Sequence, residues 1–210
     1  MRRFFYNQPN SLQVGSTVPL TEDIFHHWCK VLRASMGEQA LFFDGQGGEY
    51  TVTLTDITKK QALVTLNDFN PINRDLPFTV NIALVMSRGE RMDYAIQKAV
   101  ELGVSEIQLL TSERCEMRLK YDRDQKKLDH WQAIATAACE QCGLNIVPKI
   151  LPPMSLENWL QSELPQTKLV LAPNKDEVDV LYNATPDLAL LIGPEGGLSE
   201  AEISAANTQG

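Results

Sequence analysis

The sequence predicts an α/β protein in which a small β-barrel precedes an open, parallel sheet. Residues 1–70 are rich in short segments that alternate apolar and polar side chains, as antiparallel strands do. Residues 71–77 hold two prolines and are predicted to be a linker. Residues 78–210 alternate continuous apolar runs with amphipathic helical patterns, which is typical of a sheet with helices on both faces. The predicted boundaries are therefore 1–70, 71–77 and 78–210.

One helix and one hairpin can be recognised within the predicted barrel. Thr21 is a suitable N-cap, and the apolar residues after it share one helical face: Ile24, Phe25, Trp28, Val31 and Leu32. Strands are expected at 39–44 and 49–57, on either side of a glycine-rich turn, with another strand at 61–66. Short antiparallel strands of this kind close naturally into a small barrel.

The second module has the rhythm of repeated βα units. Apolar strands are expected at 78–86, 106–110, 146–151, 168–171 and 188–192. Helical periodicity covers 90–102 and 124–142, and Ser155 is the expected N-cap of a shorter helix. In a sheet of this type, ligands bind beyond the carboxyl ends of the strands.

The composition argues against several classes of protein. No apolar run is long enough for a membrane span or a signal peptide, so we expect a cytoplasmic protein without a membrane partner. The four cysteines are too few and too scattered for a disulfide framework. Cys139 and Cys142 form a C-x-x-C pair. Because no second pair completes a tetrahedral set, we expect no metal site.

The net charge of −8 is unfavourable for binding nucleic acid, but the charge is unevenly distributed. Residues 1–74 hold seven Lys and Arg against seven Asp and Glu, whereas residues 75–210 hold twelve against twenty. The amino-terminal module is therefore the better place for an RNA contact. The candidate residues for that contact are Arg2, Arg3, Lys30 and Arg33.

The most informative segment follows the last predicted strand. The apolar run 188–192 leads into Gly193-Pro194-Glu195-Gly196-Gly197-Leu198, and Ser199 with Glu202 forms a capping box for the next helix. Glycines at such a strand end let the backbone approach a ligand closely. There is no G-x-G-x-x-G motif and no Walker lysine, so dinucleotide and P-loop sites are not expected.

This loop, Ile192 to Leu198 followed by Glu200, resembles the cofactor loop of the RsmE group of methyltransferases in the SPOUT superfamily. Other segments resemble the same family in the same order, namely 27–37, 44–45, 98–104, 112–114 and 140–148. The likeness covers nearly the whole chain, and the combination is far more specific than any one segment.

The resemblance implies an S-adenosylmethionine-dependent enzyme that methylates N3 of a uridine in 16S ribosomal RNA, within the small ribosomal subunit. It implies a PUA-like RNA-binding barrel and a SPOUT sheet tied into a carboxyl-terminal trefoil knot. It also implies a homodimer. The residues that it places at the cofactor are Leu171, Ala172, Ile192, Gly193, Pro194, Glu195, Gly196, Gly197 and Leu198.

The chain departs from the family pattern at two places. Leu144 stands where members carry an arginine, which removes any contact that a guanidinium makes there. The family also continues past the helix after the glycine loop, with a strand and a last helix. We therefore expect that this sequence, ending at Gly210, is a fragment with a truncated carboxyl-terminal end.

Two residues are candidates for the chemistry. N3 of uridine carries a proton at neutral pH, so the enzyme has to help remove it or stabilise the uracil anion. Arg114, just beyond a predicted strand end, is the candidate for stabilising charge, and Glu140 is the candidate base. The alternative for each is structural: an ordinary exposed arginine and a solvated carboxylate on a helix.

Two other functions stay open from the sequence. The first alternative is a non-catalytic RNA-binding or assembly protein that keeps the fold but does not transfer methyl groups. The absent tail and Leu144 favour this alternative. A small-molecule enzyme with a glycine-rich nucleotide loop is the second alternative. Binding of S-adenosylmethionine and salt-sensitive binding of ribosomal RNA separate the three.

Overall fold

The structure is a computed structural model that describes residues 1–8, 11–117, 121–171 and 187–209, with the backbone alone at 121–124. The chain divides into two compact units. The first contains Met1–Asp75 together with Cys139–Val147, and the second contains Leu76–Ala138 and Pro148–Gly210. The predicted α/β architecture is confirmed, whereas the inclusion of residues 139–147 in the first unit was not foreseen from the sequence.

The first unit is built on a five-stranded sheet. Its strands are β1 (Arg2–Phe5), β2 (Thr17–Pro19), β3 (Gln39–Phe43), β4 (Glu49–Ile57) and β5 (Ala62–Asn70). Their order is β1-β3-β4-β5-β2, with β1 parallel to β3 and the other pairs antiparallel. The hydroxyl of Tyr6, just after β1, donates to the carbonyl of Pro19 in β2 over 2.9 Å, which joins the two outer strands.

The core of this unit follows from the alternation in its strands. Val52 and Leu54 in β4 and Val64 and Leu66 in β5 are fully buried, while the residues between them are more exposed. Trp28 is also fully buried and packs against Phe4 and Phe42. The side chains of both strands and of the helix therefore share one apolar interior.

The helix of the first unit differs from the prediction. Helix α1 (Glu22–Ile24) continues as a π-helix over Phe25–Val31. A π-helix has i→i+5 hydrogen bonds and so takes more residues per turn than an α-helix. For this reason the predicted apolar face holds for Ile24, Phe25 and Trp28, but Val31 turns out to solvent with 55% of its surface exposed. The prediction that Val31 shares one helical face with these residues was wrong.

The second unit is a parallel sheet with helices. Its strands are β6 (Val80–Val85), β7 (Glu106–Thr111), β8 (Lys149–Ser155), β9 (Thr167–Leu171) and β10 (Leu188–Ile192), in the order β8-β7-β6-β10-β9. All four strand pairs are parallel. The helices are α2 (Glu90–Glu101), α3 (Tyr121–Cys142), α4 (Leu156–Leu160) and α5 (Glu200–Thr208).

Strand β8 begins three residues later than predicted and contains Pro152 and Pro153. Proline cannot donate to a sheet ladder, and it is tolerated here because β8 is an edge strand. Residues 146 and 147, which were assigned to this strand, belong to the first unit instead.

The strand order creates a switch point between β6 and β10. From β6 the chain adds β7 and β8 on one side, and then places β9 and β10 on the other. Crevices at such points, beyond the carboxyl ends of the strands, are where open α/β sheets bind ligands. The trefoil knot implied by the family resemblance stays a prediction.

Candidate functional site

Three loops meet at the carboxyl edge of the second sheet. They follow β6, β7 and β10, which are adjacent and parallel, so their ends lie at the same edge. The loop after β10 is the glycine-rich segment 193–199, and helix α5 begins directly behind it at Glu200. We refer to this segment as the glycine loop.

The glycine loop is a tight turn with an exposed tip. The Gly197 N–H donates to the Pro194 carbonyl over 2.8 Å, and Gly197 adopts φ +69°, a conformation that favours glycine. Pro194 and Leu198 are buried, whereas Glu195 and Gly196 are exposed. A Cβ atom added at Gly197 would meet no atom within 4 Å. The backbone there is therefore open to close approach by a ligand.

Arg114 ties the loop after β7 to the glycine loop. Its Nη1 donates to the carbonyl of Gly196 over 3.0 Å and to that of Leu198 over 3.5 Å. The Arg114 side chain also lies against Gly196, where an added Cβ would come within 3.7 Å of Arg114 Cβ. This places a permanent positive charge at the tip of the loop predicted to hold the cofactor.

Glu195 ties the glycine loop to the loop after β6. Its Oε1 lies 3.3 Å from Arg91 Nη1, and the Ser87 hydroxyl also hydrogen-bonds to it. The pKa of this carboxyl is lowered, first by a hydrogen bond from its own backbone N–H and then by Ser87 and Arg91. Glu195 is therefore ionised at neutral pH and joins the two loops.

A capping box anchors the other end of the glycine loop. The Ser199 hydroxyl accepts from the Glu202 N–H, and the Glu202 carboxylate accepts from the Ser199 N–H. The other carboxylate oxygen of Glu202 accepts from the Glu113 N–H over 2.8 Å. One glutamate thus caps α5 and holds the loop after β7.

Replacing Ser199 with alanine is expected to destabilise α5 by about 1 kcal/mol, because it removes the acceptor for a first-turn N–H group. Faster hydrogen exchange at the α5 amides would measure the loss. Ser204→Ala, at an exposed position inside the same helix, is the matched control, and because alanine has the higher helix propensity those rates should stay the same or fall. Equal exchange in the two variants would contradict the capping role.

Two cavities adjoin these loops, both of a size typical for small ligands. One, of about 590 Å³, is lined by Arg88, Arg91, Glu113, Arg114, Cys115, Glu116, Glu195 and Gly196. The other, of about 600 Å³, is lined by residues of α4, α5 and the ends of β7 and β8, including Ser112, Ser199 and Glu202.

The remaining predicted cofactor residues lie at the same edge. Leu171 ends β9 and pairs in register with Ile192, the last residue of β10, so these two strand ends are neighbours. Leu171 is 57% exposed. Ala172 lies outside the described residues. The predicted set, Ala172 apart, is thus brought together by two adjacent strands and one loop.

Glu140, the predicted base, lies in the first unit. Its Oε1 accepts from the backbone N–H of Phe5, in edge strand β1, over 2.9 Å. Burial raises the pKa of this carboxyl, while the Phe5 N–H and the charges of His27 and Arg3 oppose the rise. These contacts fit a structural carboxylate that accepts a hydrogen bond from a backbone N–H of an edge strand.

The Arg3 guanidinium is hydrogen-bonded to several groups of the protein. One guanidinium nitrogen bonds to the carboxylate of Glu49 and the other to the Gly143 and Leu144 carbonyls and to Asn145 Oδ1. Only 10% of its side chain is exposed. Sequence reasoning did not find this cluster, because its members are far apart in the chain and no local pattern links them.

The other three candidate RNA residues are accessible. Arg2 forms an exposed ion pair with Glu38 at 3.3 Å. Lys30 lies over the Phe25 ring and donates to the Lys59 carbonyl. Arg33 is exposed, and among the described residues it is the one non-glycine with positive φ, at 55°. That conformation ends the helical segment.

The four cysteines include one, Cys139, whose surroundings disfavour a reactive thiolate. All four are free, and the Cys139 thiol donates to the Ile146 carbonyl. Burial raises the pKa of Cys139 to about 12, which disfavours the reactive thiolate. Across the described part of the chain, no group of three or more His, Cys, Asp or Glu is placed to hold a metal ion. No helix among the described residues is long and apolar enough to cross a membrane.

Comparison with known proteins agrees with this architecture. A family profile described as "RNA methyltransferase domain" matches residues 74–210, and one described as "RNA methyltransferase PUA domain" matches residues 20–67. A crystal structure of ribosomal RNA small subunit methyltransferase E from Neisseria gonorrhoeae, bound to S-adenosyl methionine, is similar at 36% identity with a TM-score of 0.92. The alignment covers 100% of this chain and 86% of that one.

Two curated relatives carry the same name. The protein from Buchnera aphidicola subsp. Schizaphis graminum is 30% identical over 91% of this chain and 79% of its own length. The protein from Bacillus subtilis is 27% identical over 100% of this chain and 86% of its own. The fold and the matched profiles define the class, an RNA methyltransferase with a PUA domain. Within that class, the chain belongs to the ribosomal RNA small subunit methyltransferase E family.

Proposed function

We propose that this protein transfers a methyl group from S-adenosylmethionine to N3 of a uridine in 16S ribosomal RNA. The observation that carries the proposal is the glycine loop, cross-linked to two neighbouring loops at the switch point of the sheet. The N. gonorrhoeae relative binds this cofactor, and small-subunit ribosomal RNA is the substrate that its name states. The cofactor prediction is confirmed at the level of the family.

The residues of the glycine loop fit such a cofactor. At Gly197 the backbone has open space where a side chain would otherwise stand, so the flat edge of a purine can approach the main chain closely there. Leu171 and Ile192 offer apolar surface at the ends of two adjacent strands of the same sheet, and Ala172 completes the proposed set. When bound, S-adenosylmethionine supplies a methyl group that is already electrophilic. The protein has to orient the nucleophile and exclude water.

Arg114 is the residue that we propose for charge stabilisation. Its guanidinium is held beside the glycine loop by two carbonyl acceptors, so its position is fixed before substrate binds. A positive charge near a uracil oxygen would stabilise the anion that remains when the N3 proton leaves. Glu140 remains as the proposed base from the sequence, although its hydrogen bond to Phe5 favours a structural role.

The barrel is the proposed RNA-binding module, within which Arg2, Lys30 and Arg33 are the stronger candidates because they are exposed. Arg3 is better suited to holding residues 143–145. We further propose that the substrate is the RNA in the small ribosomal subunit, and that the protein works in the cytoplasm as a homodimer. The proposed domain boundaries are 1–70 for the barrel, 71–77 for the linker and 78–210 for the methyltransferase domain.

The test is methyl transfer from labelled S-adenosylmethionine to small ribosomal subunits that lack the modification, followed by nucleoside analysis. We expect the label in 3-methyluridine, with no label in large-subunit RNA as the control. Label in another nucleoside would overturn N3 of uridine as the target. RNA binding without any label would support the non-catalytic alternative, which Leu144 favours.

A further inference from the structure

The 590 Å³ cavity is lined by three arginines and three glutamates, although the chain as a whole is acidic. Arg88 and Arg91 reach it from the loop after β6 and the first turn of α2, and Arg114 reaches it from the loop after β7. The whole chain carries a net charge of −8, so three arginines around one cavity are not what its composition would lead us to expect. The cavity also contains the carboxylates of Glu113, Glu116 and Glu195.

Two of these arginines have partners that can be exchanged. Arg88 pairs with the Glu116 side chain at 3.4 Å and donates to its carbonyl over 3.1 Å, and Arg91 pairs with Glu195 at 3.3 Å. The Arg88 and Arg91 side chains are 69% and 74% exposed. Exposed ion pairs contribute only about 0–1 kcal/mol, so an incoming anion can displace these carboxylates at little cost.

Arg114 differs from this pair in its partners. Its guanidinium donates to neutral backbone carbonyls of the glycine loop, and no ion pair fixes its charge in the described structure. An anion that entered the cavity would therefore meet one guanidinium whose charge is uncompensated and two whose carboxylates are displaceable.

We propose that this cavity binds the phosphates that flank the target nucleotide, and that Arg88 and Arg91 exchange their glutamates for these phosphates. The inference rests on the proposed function and adds the place where the RNA substrate meets the sheet. Guanidinium groups suit phosphate because their donors match its oxygens in pairs. Glu195 and Gly196 of the glycine loop form part of the cavity wall, so a nucleotide held there lies next to the methyl donor site.

The methyl donor itself is the less suitable occupant. S-adenosylmethionine carries a sulfonium and an ammonium group against a single carboxylate, so it offers one negative group to three guanidinium groups. A polynucleotide carries one negative charge for every nucleotide and gains from every cation. Charge therefore favours RNA in this cavity.

The test measures the affinity of the full chain for in vitro transcribed small-subunit ribosomal RNA at several salt concentrations. The double variant Arg88→Gln, Arg91→Gln should bind about tenfold more weakly, and the slope of log affinity against log salt should fall by about 1.4, since each contact to single-stranded RNA contributes about 0.7. The double variant Lys126→Gln, Lys149→Gln makes the same change in net charge at exposed positions and should alter both quantities far less.

A single substitution gives the sharpest result. Glu116→Gln removes the competitor for Arg88, so RNA binding should become tighter, whereas a purely structural ion pair predicts no gain. Weakened S-adenosylmethionine binding in the arginine variant, with RNA binding unchanged, would assign the cavity to the donor and overturn the inference. Unchanged binding of both would overturn it as well. If the unaltered chain neither binds RNA nor transfers methyl groups, the proposed function itself fails, whereas the outcomes above concern the variants and test the cavity alone.

Discussion

Replacing Glu49 with alanine is expected to lower the free energy of unfolding of the first unit by about 3–5 kcal/mol. The Glu49 side chain is only 4% exposed, and it pairs with both Arg3 and Arg74, the latter through two hydrogen bonds of 3.0 Å. Removing one member of a buried charged cluster leaves the others without compensation. Arg3 would then hold a nearly buried positive charge beside the carbonyls of residues 143 and 144.

Hydrogen exchange at the amides of β4 and β5 is the appropriate measurement, since both strands belong to the first unit. Glu38→Ala is the matched control. It removes a glutamate of the same unit that pairs with Arg2 and accepts from the exposed Ser35 N–H, with about 40% of both ion-pair side chains exposed, and should cost about 1 kcal/mol. Similar losses in the two variants would show that the Glu49 cluster contributes no more than a surface pair.

The same residue makes the stability of the first unit depend on pH. The hydrogen bond from Arg74 lowers the pKa of Glu49 from its usual 4.5, with Arg3 acting in the same direction against burial. A carboxyl whose pKa is lower in the folded state stabilises the fold above its unfolded pKa, and this stabilisation is lost as the pH falls through the folded pKa. Below about pH 4.5 the free energy of unfolding should therefore fall less, relative to its value at pH 7, in Glu49→Gln than in the unaltered chain.

Most of the fold could be predicted because local sequence patterns specify its strands and helices. Strand β10 and the Ser199 cap follow from an apolar run and a capping box, and both have the predicted bounds. Trp28, on the predicted apolar face of its helix, is buried. The errors in the predicted elements occur where one local pattern is compatible with two structures. The segment Phe25–Val31 has helical periodicity, but nothing in its composition distinguishes a π-helix from an α-helix.

The candidate site was only partly predictable, for a different reason. The glycine loop is contiguous and follows a buried strand, so its sequence carries the signal. The contacts of Arg114 with Gly196 and of Glu202 with Glu113 join segments more than eighty residues apart, and no periodicity encodes them. Arg88 and Arg91 were missed although a signal existed. Arg88 lies in the loop after β6 and Arg91 in the first turn of α2, at the same sheet edge where the rule that identified the glycine loop applies equally.

Replacing Gly197 with valine is expected to weaken S-adenosylmethionine binding more than tenfold. Two effects act together at this position. Its φ of +69° is strained for any side chain and most of all for a β-branched one, and the new side chain would project into open space beside the loop tip. If the cofactor lies against this backbone, as we propose, the valine methyl groups occupy part of its site.

A matched glycine separates the two effects. Gly15 has φ +85° and also has no atom within 4 Å of an added Cβ, but it lies in the first unit, away from the glycine loop in the chain. Gly15→Val should therefore cost a similar amount of stability, while calorimetric titration shows unchanged affinity for S-adenosylmethionine. Equal affinity losses in both variants would mean that strain alone acts. An unaltered affinity in a folded Gly197→Val would place the cofactor away from this backbone, because a close approach at Gly197 cannot survive a branched side chain there.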